Sequence, residues 1–120
     1  MKKRVLVVED HEDNRQILRD LLGSAGFEII EAENGEEAVA LAETSRPDVI
    51  LMDIQLPVLD GYEATRRIKA NPSLRSIPVI VVTSYALSGD EEKARLAGCD
   101  DYVSKPFSPR DLLAKIRRYV

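Results

Sequence analysis

The chain has 120 residues, of which 44% are hydrophobic and 32% are charged, which is enough for one domain with a buried core but too few for two. The formal charge is −4, so the chain lacks the excess of basic residues with which proteins bind nucleic acid or anionic lipid. No segment approaches the roughly 20 apolar residues of a membrane helix. We therefore expect one domain over residues 1–120 in the cytoplasm, with no output domain, no direct nucleic-acid partner and no membrane insertion.

Along the chain, short apolar runs alternate with segments whose apolar residues recur with the period of an α-helix. The runs at 5–8, 49–52 and 79–82 are continuous, as in strands that a parallel sheet buries on both faces. Charged residues interrupt the run at 27–31, which favours the edge of a sheet. In chain order we predict strand 4–9, helix 13–25, strand 27–32, helix 35–45, strand 48–52, helix 60–70, strand 78–83, helix 88–97, strand 100–104 and helix 108–119.

Capping signals support the predicted helices. Gly26 and Gly98 follow predicted helices, where a left-handed C-cap is needed. Pairs of capping-box type begin four of them: Asn34 with Glu37, Asp60 with Glu63, Ser88 with Glu91, and Ser108 with Asp111. The repeated βα pattern predicts an α/β fold, a doubly wound five-stranded parallel sheet of flavodoxin-like order 2-1-3-4-5, written (βα)5.

Polar residues follow the carboxyl ends of the predicted strands, where open α/β sheets bind ligands. Glu9 and Asp10 end the first strand, Asp53 the third, Thr83 the fourth and Lys105 the fifth. Two carboxylates about 4 Å apart repel by on the order of 4 kcal/mol at an effective dielectric constant of 20, so three acids in one cleft need a cation. Oxygen donors favour Mg²⁺, Mn²⁺ or Ca²⁺ over zinc.

The same residues suggest phosphoryl transfer. Asp53 is the best-placed nucleophile, because it ends the central strand with neighbours on both sides, and an Asp carboxylate can become an aspartyl phosphate. Glu9 and Asp10 would then hold the metal ion. Lys105 would neutralise a phosphoryl oxygen and the Thr83 hydroxyl would donate a hydrogen bond to it.

In these motifs the sequence resembles the receiver domain of bacterial response regulators. The matching stretches are VLVVED at 5–10, LMDIQLP at 51–57, VTS at 82–84 and SKPF at 104–107, in order and spacing over essentially the whole chain. Within that family, the chain is similar to small stand-alone regulators of the DivK type, notably through residues 52–57. Such proteins are signalling proteins and phosphoacceptors rather than enzymes with turnover.

The resemblance implies the partners and the cofactor. Asp53 would accept phosphate from a phosphohistidine on a sensor histidine kinase or a histidine phosphotransfer protein, and the phosphorylated chain would signal to a downstream protein. Mg²⁺, for which Mn²⁺ would substitute, would be bound by Asp10 directly, by Glu9 largely through water, by Asp53, and by Gln55 through its backbone carbonyl. Many relatives have Asp in place of Glu9.

The resemblance also implies a conformational switch. Thr83 and Tyr102 would form the switch pair, Tyr85 would occupy a position that tunes dephosphorylation, and the Lys105–Pro106 bond would be cis. The fourth predicted helix would bury mainly Ala94, Leu96 and Ala97, a small apolar set that holds it weakly. We therefore expect the 84–98 segment to shift on phosphorylation.

The sequence also allows two other functions. Haloacid dehalogenase-like phosphohydrolases also use a strand-end Asp with Mg²⁺, but they expect a second acid two residues later, where this chain has Gln55. A pseudo-receiver would keep the fold without phosphorylation and act as a binding module. We interpret His11 as a solvated loop residue without a role, and Arg15 and Arg19 as a solvated helix face, with a partner contact only at Arg15.

Overall fold

A computed structural model describes residues 2–83 and 90–120. Strands and helices alternate throughout these residues, as predicted. The strands are Arg4–Val8 (β1), Glu28–Ala32 (β2), Val49–Asp53 (β3), Val79–Thr83 (β4) and Asp101–Ser104 (β5). The helices are Glu12–Ser24 (α1), Gly35–Ser45 (α2), Gly61–Ala70 (α3), Asp90–Leu96 (α4) and Pro109–Arg117 (α5). The predicted helix start at Ser88, together with Ser84 and Tyr85, lies outside the described residues.

The five strands form one parallel sheet in the order β2-β1-β3-β4-β5, which confirms the predicted topology. Every residue of β3 and β4 is buried, whereas only Ala32 of β2 is buried. β2 lies at the edge, because its two glutamates would be desolvated in the centre of the sheet.

Helices cover both faces of the sheet. On one face, Leu6, Ile50 and Val81 pack with α2, α3 and α4, and on the other, Val7, Leu51 and Val82 pack with α1 and α5. The split follows from the alternation of side chains along each strand. Among the described residues, no helix has both the length and the apolar character needed to cross a membrane.

Side-chain caps begin three of the helices as predicted. Asn34 Oδ1 accepts a hydrogen bond from the Glu37 amide at 2.8 Å, Asp60 Oδ1 accepts one from the Glu63 amide at 2.9 Å, and Ser108 Oγ accepts one from the Asp111 amide at 3.1 Å. Gly26 and Gly98 have φ angles of 94° and 99°, a left-handed conformation that favours glycine. These local signals therefore set where the helices begin and end.

The inward face of α4 differs from the prediction. Ala94 and Ala97 are buried, but the Leu96 side chain is 78% exposed, so its predicted burial is wrong. The helix and the turn that follows it contribute two alanines to the core, an even smaller apolar contact than the sequence suggested. Weak anchoring of this segment by buried area therefore remains a sound expectation.

Candidate functional site

The register of the two central strands brings Glu9 and Asp53 together. Val7 of β1 pairs with Leu51 of β3, and side chains alternate along a strand, so Glu9 and Asp53 come next on the same face. The Glu9 amide donates a hydrogen bond to the Ala32 carbonyl at 3.0 Å, which extends the pairing of β1 beyond Val8. Both carboxylates are buried, at 2% exposure for Glu9 and 6% for Asp53.

The Lys105 ammonium group lies beside these two acids. Its Nζ is 3.3 Å from Asp53 Oδ2 and 3.9 Å from Glu9 Oε2. The Lys105 amide donates to the Thr83 carbonyl at 2.7 Å, and the Lys105–Pro106 peptide bond is cis, as the resemblance implied. Residues at the ends of β1, β3 and β5 thus meet in one cleft, and one positive charge faces two acids.

Burial and mutual repulsion perturb the two carboxyl groups in opposite directions. Burial, followed by the hydrogen bond and the negative charge of Glu9, raises the pKa of Asp53 to about 7, although Lys105 and the Gln55 amide partly oppose this rise. Burial also acts to raise the pKa of Glu9, but hydrogen bonds from Asp53 and Asn14 outweigh it and lower that pKa. Burial and the negative charge of Glu9 thus favour the protonated form of Asp53, and the positive charge of a bound cation would favour the carboxylate.

Asp10 adds an oxygen without a hydrogen-bond partner. Its Oδ1 atom is buried and accepts no hydrogen bond from any described residue, although His11 Nδ1 lies 3.1 Å away. Ligand atoms of Glu9, Asp10 and His11 all lie within 4.8 Å of one another. A buried anionic oxygen next to a second carboxylate is a donor set that hard divalent cations prefer, so these residues fit Mg²⁺.

The other predicted site residues are Gln55, Thr83 and Tyr102. The Gln55 amide donates to Asp53 Oδ1 at 3.2 Å, while its side chain is exposed. Thr83 is buried at the end of β4. Tyr102 is half-buried and pairs with Val81, two residues before Thr83, which places Tyr102 and Thr83 on the same face of the sheet.

Sequence reasoning missed two residues of the site. Asn14 Nδ2 donates to Glu9 Oε1 at 2.7 Å. The prediction that Arg15 belongs to a solvated helix face is wrong, because the residue is only 6% exposed. Its guanidinium donates hydrogen bonds to the Glu9 carbonyl at 2.8 Å and to the side chains of Glu12 and Glu33. Both residues lie in the first turn of α1, directly after an acidic loop, and that position is the signal that could have identified them.

A cavity of about 360 Å³ adjoins the cleft between α1 and the loop after β5. Glu9, Asp53 and Lys105 form its polar end, and its lining is otherwise mostly apolar. The Ile17 side chain, which also lines it, is 63% exposed. The buried acids are therefore accessible from a largely apolar surface.

Comparison with known proteins agrees with this geometry. Residues 5–117 match the family described as the response regulator receiver domain. The chain belongs to this family. The receiver is 48% identical to the polar-differentiation response regulator DivK of Brucella anthropi and 47% identical to that of Brucella ovis, each over 100% of this chain and 98% of the relative.

Solved receiver structures share the fold. The receiver domain of the sensor histidine kinase PA1611 from Pseudomonas aeruginosa, which has a magnesium ion coordinated in its active-site cleft, is 41% identical with a TM-score of 0.93, over 99% of this chain and 98% of that one. The chemotaxis protein CheY4 of Vibrio cholerae is 29% identical with a TM-score of 0.92, over 100% of both chains. This chain is thus a receiver of the DivK type in two-component signalling, and the phosphohydrolase alternative has no support.

Proposed function

We propose that this receiver accepts a phosphoryl group on Asp53 from a phosphohistidine of a sensor histidine kinase or a histidine phosphotransfer protein, in the presence of Mg²⁺, and then signals to a downstream protein. The observation that carries this proposal is the buried Asp53 carboxylate at the end of the central strand, with Lys105 Nζ at 3.3 Å. We expect this reaction to take place in the cytoplasm.

Asp53 is held in position for nucleophilic attack. The Gln55 amide donates to Oδ1 and the Lys105 ammonium group to Oδ2, so the carboxylate cannot rotate freely. A carboxylate oxygen of Asp53 forms a bond to phosphorus while the bond from phosphorus to the donor imidazole breaks. The imidazole nitrogen keeps the electron pair of that bond and takes up a proton.

Neighbouring residues would compensate the charge of the product. Lys105 loses its contact with the free carboxylate when Asp53 becomes an acyl phosphate, and its ammonium group then pairs with a phosphoryl oxygen. The Thr83 hydroxyl, at the end of the adjacent strand, donates a hydrogen bond to another phosphoryl oxygen. Positioning and charge neutralisation of this kind account for most of the catalysis in phosphoryl transfer.

Asp10 would hold Mg²⁺ directly, together with Asp53 and the Gln55 backbone carbonyl. Glu9 would act largely through water, which agrees with its burial and with the hydrogen bond that Asn14 already donates to it. When bound, Mg²⁺ or Mn²⁺ neutralises negative charge on the phosphoryl oxygens and on the two buried acids.

The phosphodonor would dock on the surface beside the cavity. The exposed Ile17 and the half-buried Phe107 flank the polar end of that cavity, so an apolar helix face that carries the phosphohistidine would exclude water around Asp53. The output would use the Thr83 and Tyr102 pair, in which the hydroxyl moves toward the phosphoryl group and the aromatic ring turns inward. A two-state element biased by new charge is sufficient for such a switch.

Intact-mass spectrometry after incubation with acetyl phosphate tests the proposal. We expect a single phosphoryl adduct that requires Mg²⁺ and disappears in Asp53→Asn. Asp20→Asn, a change of the same size at an exposed residue of α1, is the matched control and should be modified like the unaltered chain. Absence of any Mg²⁺-dependent adduct would instead identify a pseudo-receiver, and rapid turnover of phosphoesters would identify a hydrolase.

A further inference from the structure

His11 has a position that the proposed function does not explain. The residue is the N-cap of α1, but its side chain makes no capping hydrogen bond. Instead, its Nδ1 atom faces two acids, at 3.1 Å from Asp10 Oδ1 and 3.3 Å from Glu9 Oε1. The imidazole is 72% exposed, so burial does not hold it there. The interpretation of His11 as a solvated loop residue without a role therefore did not include its contacts with Asp10 and Glu9.

The spacing of these three donor atoms suits a metal ion. Two ligands at right angles, each about 2.1 Å from an ion, lie about 3.0 Å apart, close to both distances from His11 Nδ1. The Asp10 oxygen in this set is the buried atom that accepts no hydrogen bond from the described residues. The His11 nitrogen and the Asp10 oxygen thus lie close enough together for one ion to bind both, with the Glu9 carboxylate beside them.

We propose that His11 gives this site a nitrogen ligand, so that it binds an ion that prefers imidazole, with Zn²⁺ as the representative, in competition with Mg²⁺. The inference rests on the proposed function, since it assigns Asp10 and Glu9 to the same cation site. Imidazole is a preferred ligand of zinc, cobalt, nickel and copper ions, whereas Mg²⁺ prefers oxygen. His11 therefore changes which ions the site accepts.

Competition between the two ions follows from the shared carboxylates. An ion held by His11 and Asp10 occupies the oxygen that Mg²⁺ needs, and a metal ion bound there excludes a second one by charge repulsion. Its two positive charges offset the two carboxylates without Lys105. The availability of such an ion would then set the fraction of the protein that is ready to bind Mg²⁺.

Nuclear magnetic resonance of the imidazole gives a direct test, because His11 is the only histidine of the chain. The experiment records the ring nitrogens at one fixed, mildly alkaline pH during titration with Zn²⁺ alone and with Mg²⁺ alone. We expect Zn²⁺ to move the Nδ1 resonance to the position of a metal-bound nitrogen, and Mg²⁺ to cause a much smaller change. An Nδ1 resonance that Zn²⁺ leaves in place would overturn the proposal.

Calorimetric titration of variants measures the contribution of the ring. We expect His11→Asn to weaken Zn²⁺ binding by about tenfold or more, because it removes a ligand from the ion, and to weaken Mg²⁺ binding by a smaller factor. Added Mg²⁺ should raise the apparent Kd for Zn²⁺ of the unaltered chain. A Zn²⁺ affinity that falls in Cys99→Ser but not in His11→Asn would place the ion at the thiol and refute the proposal.

Loss of the metal site and loss of the phosphoacceptor function would give different results in these experiments. If Mg²⁺ supports an adduct on Asp53 but Zn²⁺ leaves the His11 nitrogen unchanged, only the role of His11 is wrong. If acetyl phosphate gives no Mg²⁺-dependent adduct while Zn²⁺ still moves the His11 resonance, the phosphoacceptor function is wrong and the metal site stands.

Discussion

Arg15 Nη1 donates a 2.8 Å hydrogen bond to the backbone carbonyl of Glu9. A buried side chain of α1 thereby fixes the segment that carries the first two acids of the site. The same guanidinium contacts Glu31 at the edge of the sheet and Glu33 just after it. Arg15 therefore joins the acidic loop to β2, and its role is to position the site rather than to contact a ligand.

Replacement of Arg15 by alanine should destabilise the protein. We expect a loss of about 1–3 kcal/mol in the free energy of unfolding, because the buried Glu9 carbonyl loses its side-chain donor. Urea denaturation followed by circular dichroism measures this loss. Arg19→Ala is the matched control, since Arg19 pairs with Glu12 and Glu31 from a more exposed position and should cost less. Equal losses in the two variants would contradict the assignment.

Gly61 lies so close to the phosphoacceptor strand that a larger residue should disturb it. A Cβ atom at this position would be 2.1 Å from the Asp53 carbonyl oxygen. We expect Gly61→Ala to lose about 1–3 kcal/mol of stability and to slow adduct formation on Asp53, which urea denaturation and timed intact-mass measurements would show. Gly23→Ala, with nothing within 4 Å, should gain about 0.5–1 kcal/mol as a helix residue. A loss of similar size in both variants would count against the close contact.

The Asp101 carboxyl should make stability dependent on pH in the acid range. Burial acts to raise its pKa, but the Tyr102 amide, the Lys115 ammonium group and the Tyr119 hydroxyl together hold that pKa below its ordinary value of 3.8. The folded state therefore binds this proton less readily than the unfolded state. Its contribution to stability is complete well above pH 3.8 and is lost as the pH falls through the lower folded pKa.

The Asp101→Asn variant tests this contribution. We expect it to be less stable than the unaltered chain at pH 7, and the difference should shrink toward the acid end of a series of urea denaturations at decreasing pH. Asp20→Asn, at an exposed residue, should show little difference at any pH. A difference for Asp101→Asn that stays constant down to the lowest pH would refute the assigned pKa shift.

Phosphorylation should loosen or move the 84–98 segment, of which residues 84–89 lie outside the described part of the chain. The described portion presents only Ala94 and Ala97 to the core, so little buried area opposes a shift. Amide hydrogen exchange before and after saturation with acetyl phosphate measures the change. Unchanged exchange in this segment would defeat the prediction.

Variants of Thr83 connect this shift to the proposed switch. We expect Thr83→Ala to accept phosphate on Asp53 but to lose the change in hydrogen exchange, because alanine lacks the hydroxyl that would bind the phosphoryl group. Thr83→Ser keeps the hydroxyl and should keep the response. If Thr83→Ala responds as fully as Thr83→Ser, the hydroxyl is not the link.

Local sequence patterns predicted most of the architecture. The apolar runs located the strands to within one or two residues, and the charged run at 27–31 placed β2 at the sheet edge, because charge is costly in a strand covered on both faces. The caps at Asn34, Asp60 and Ser108 were predicted from pairs of residues three apart. Such features depend on neighbours along the chain, and a sequence displays those neighbours directly.

The gathering of Glu9, Asp53 and Lys105 could also be predicted, since the carboxyl ends of parallel strands share one edge of the sheet. The burial of Arg15 and the exposure of Leu96 could not. Those outcomes depend on which distant segments cover a helix, as when Glu31 of β2 and Glu33 just after it contact Arg15 of α1. The sequence thus determined the elements, their order and the acids at the strand ends, whereas packing between segments remote along the chain decided which polar side chains are buried and what they contact.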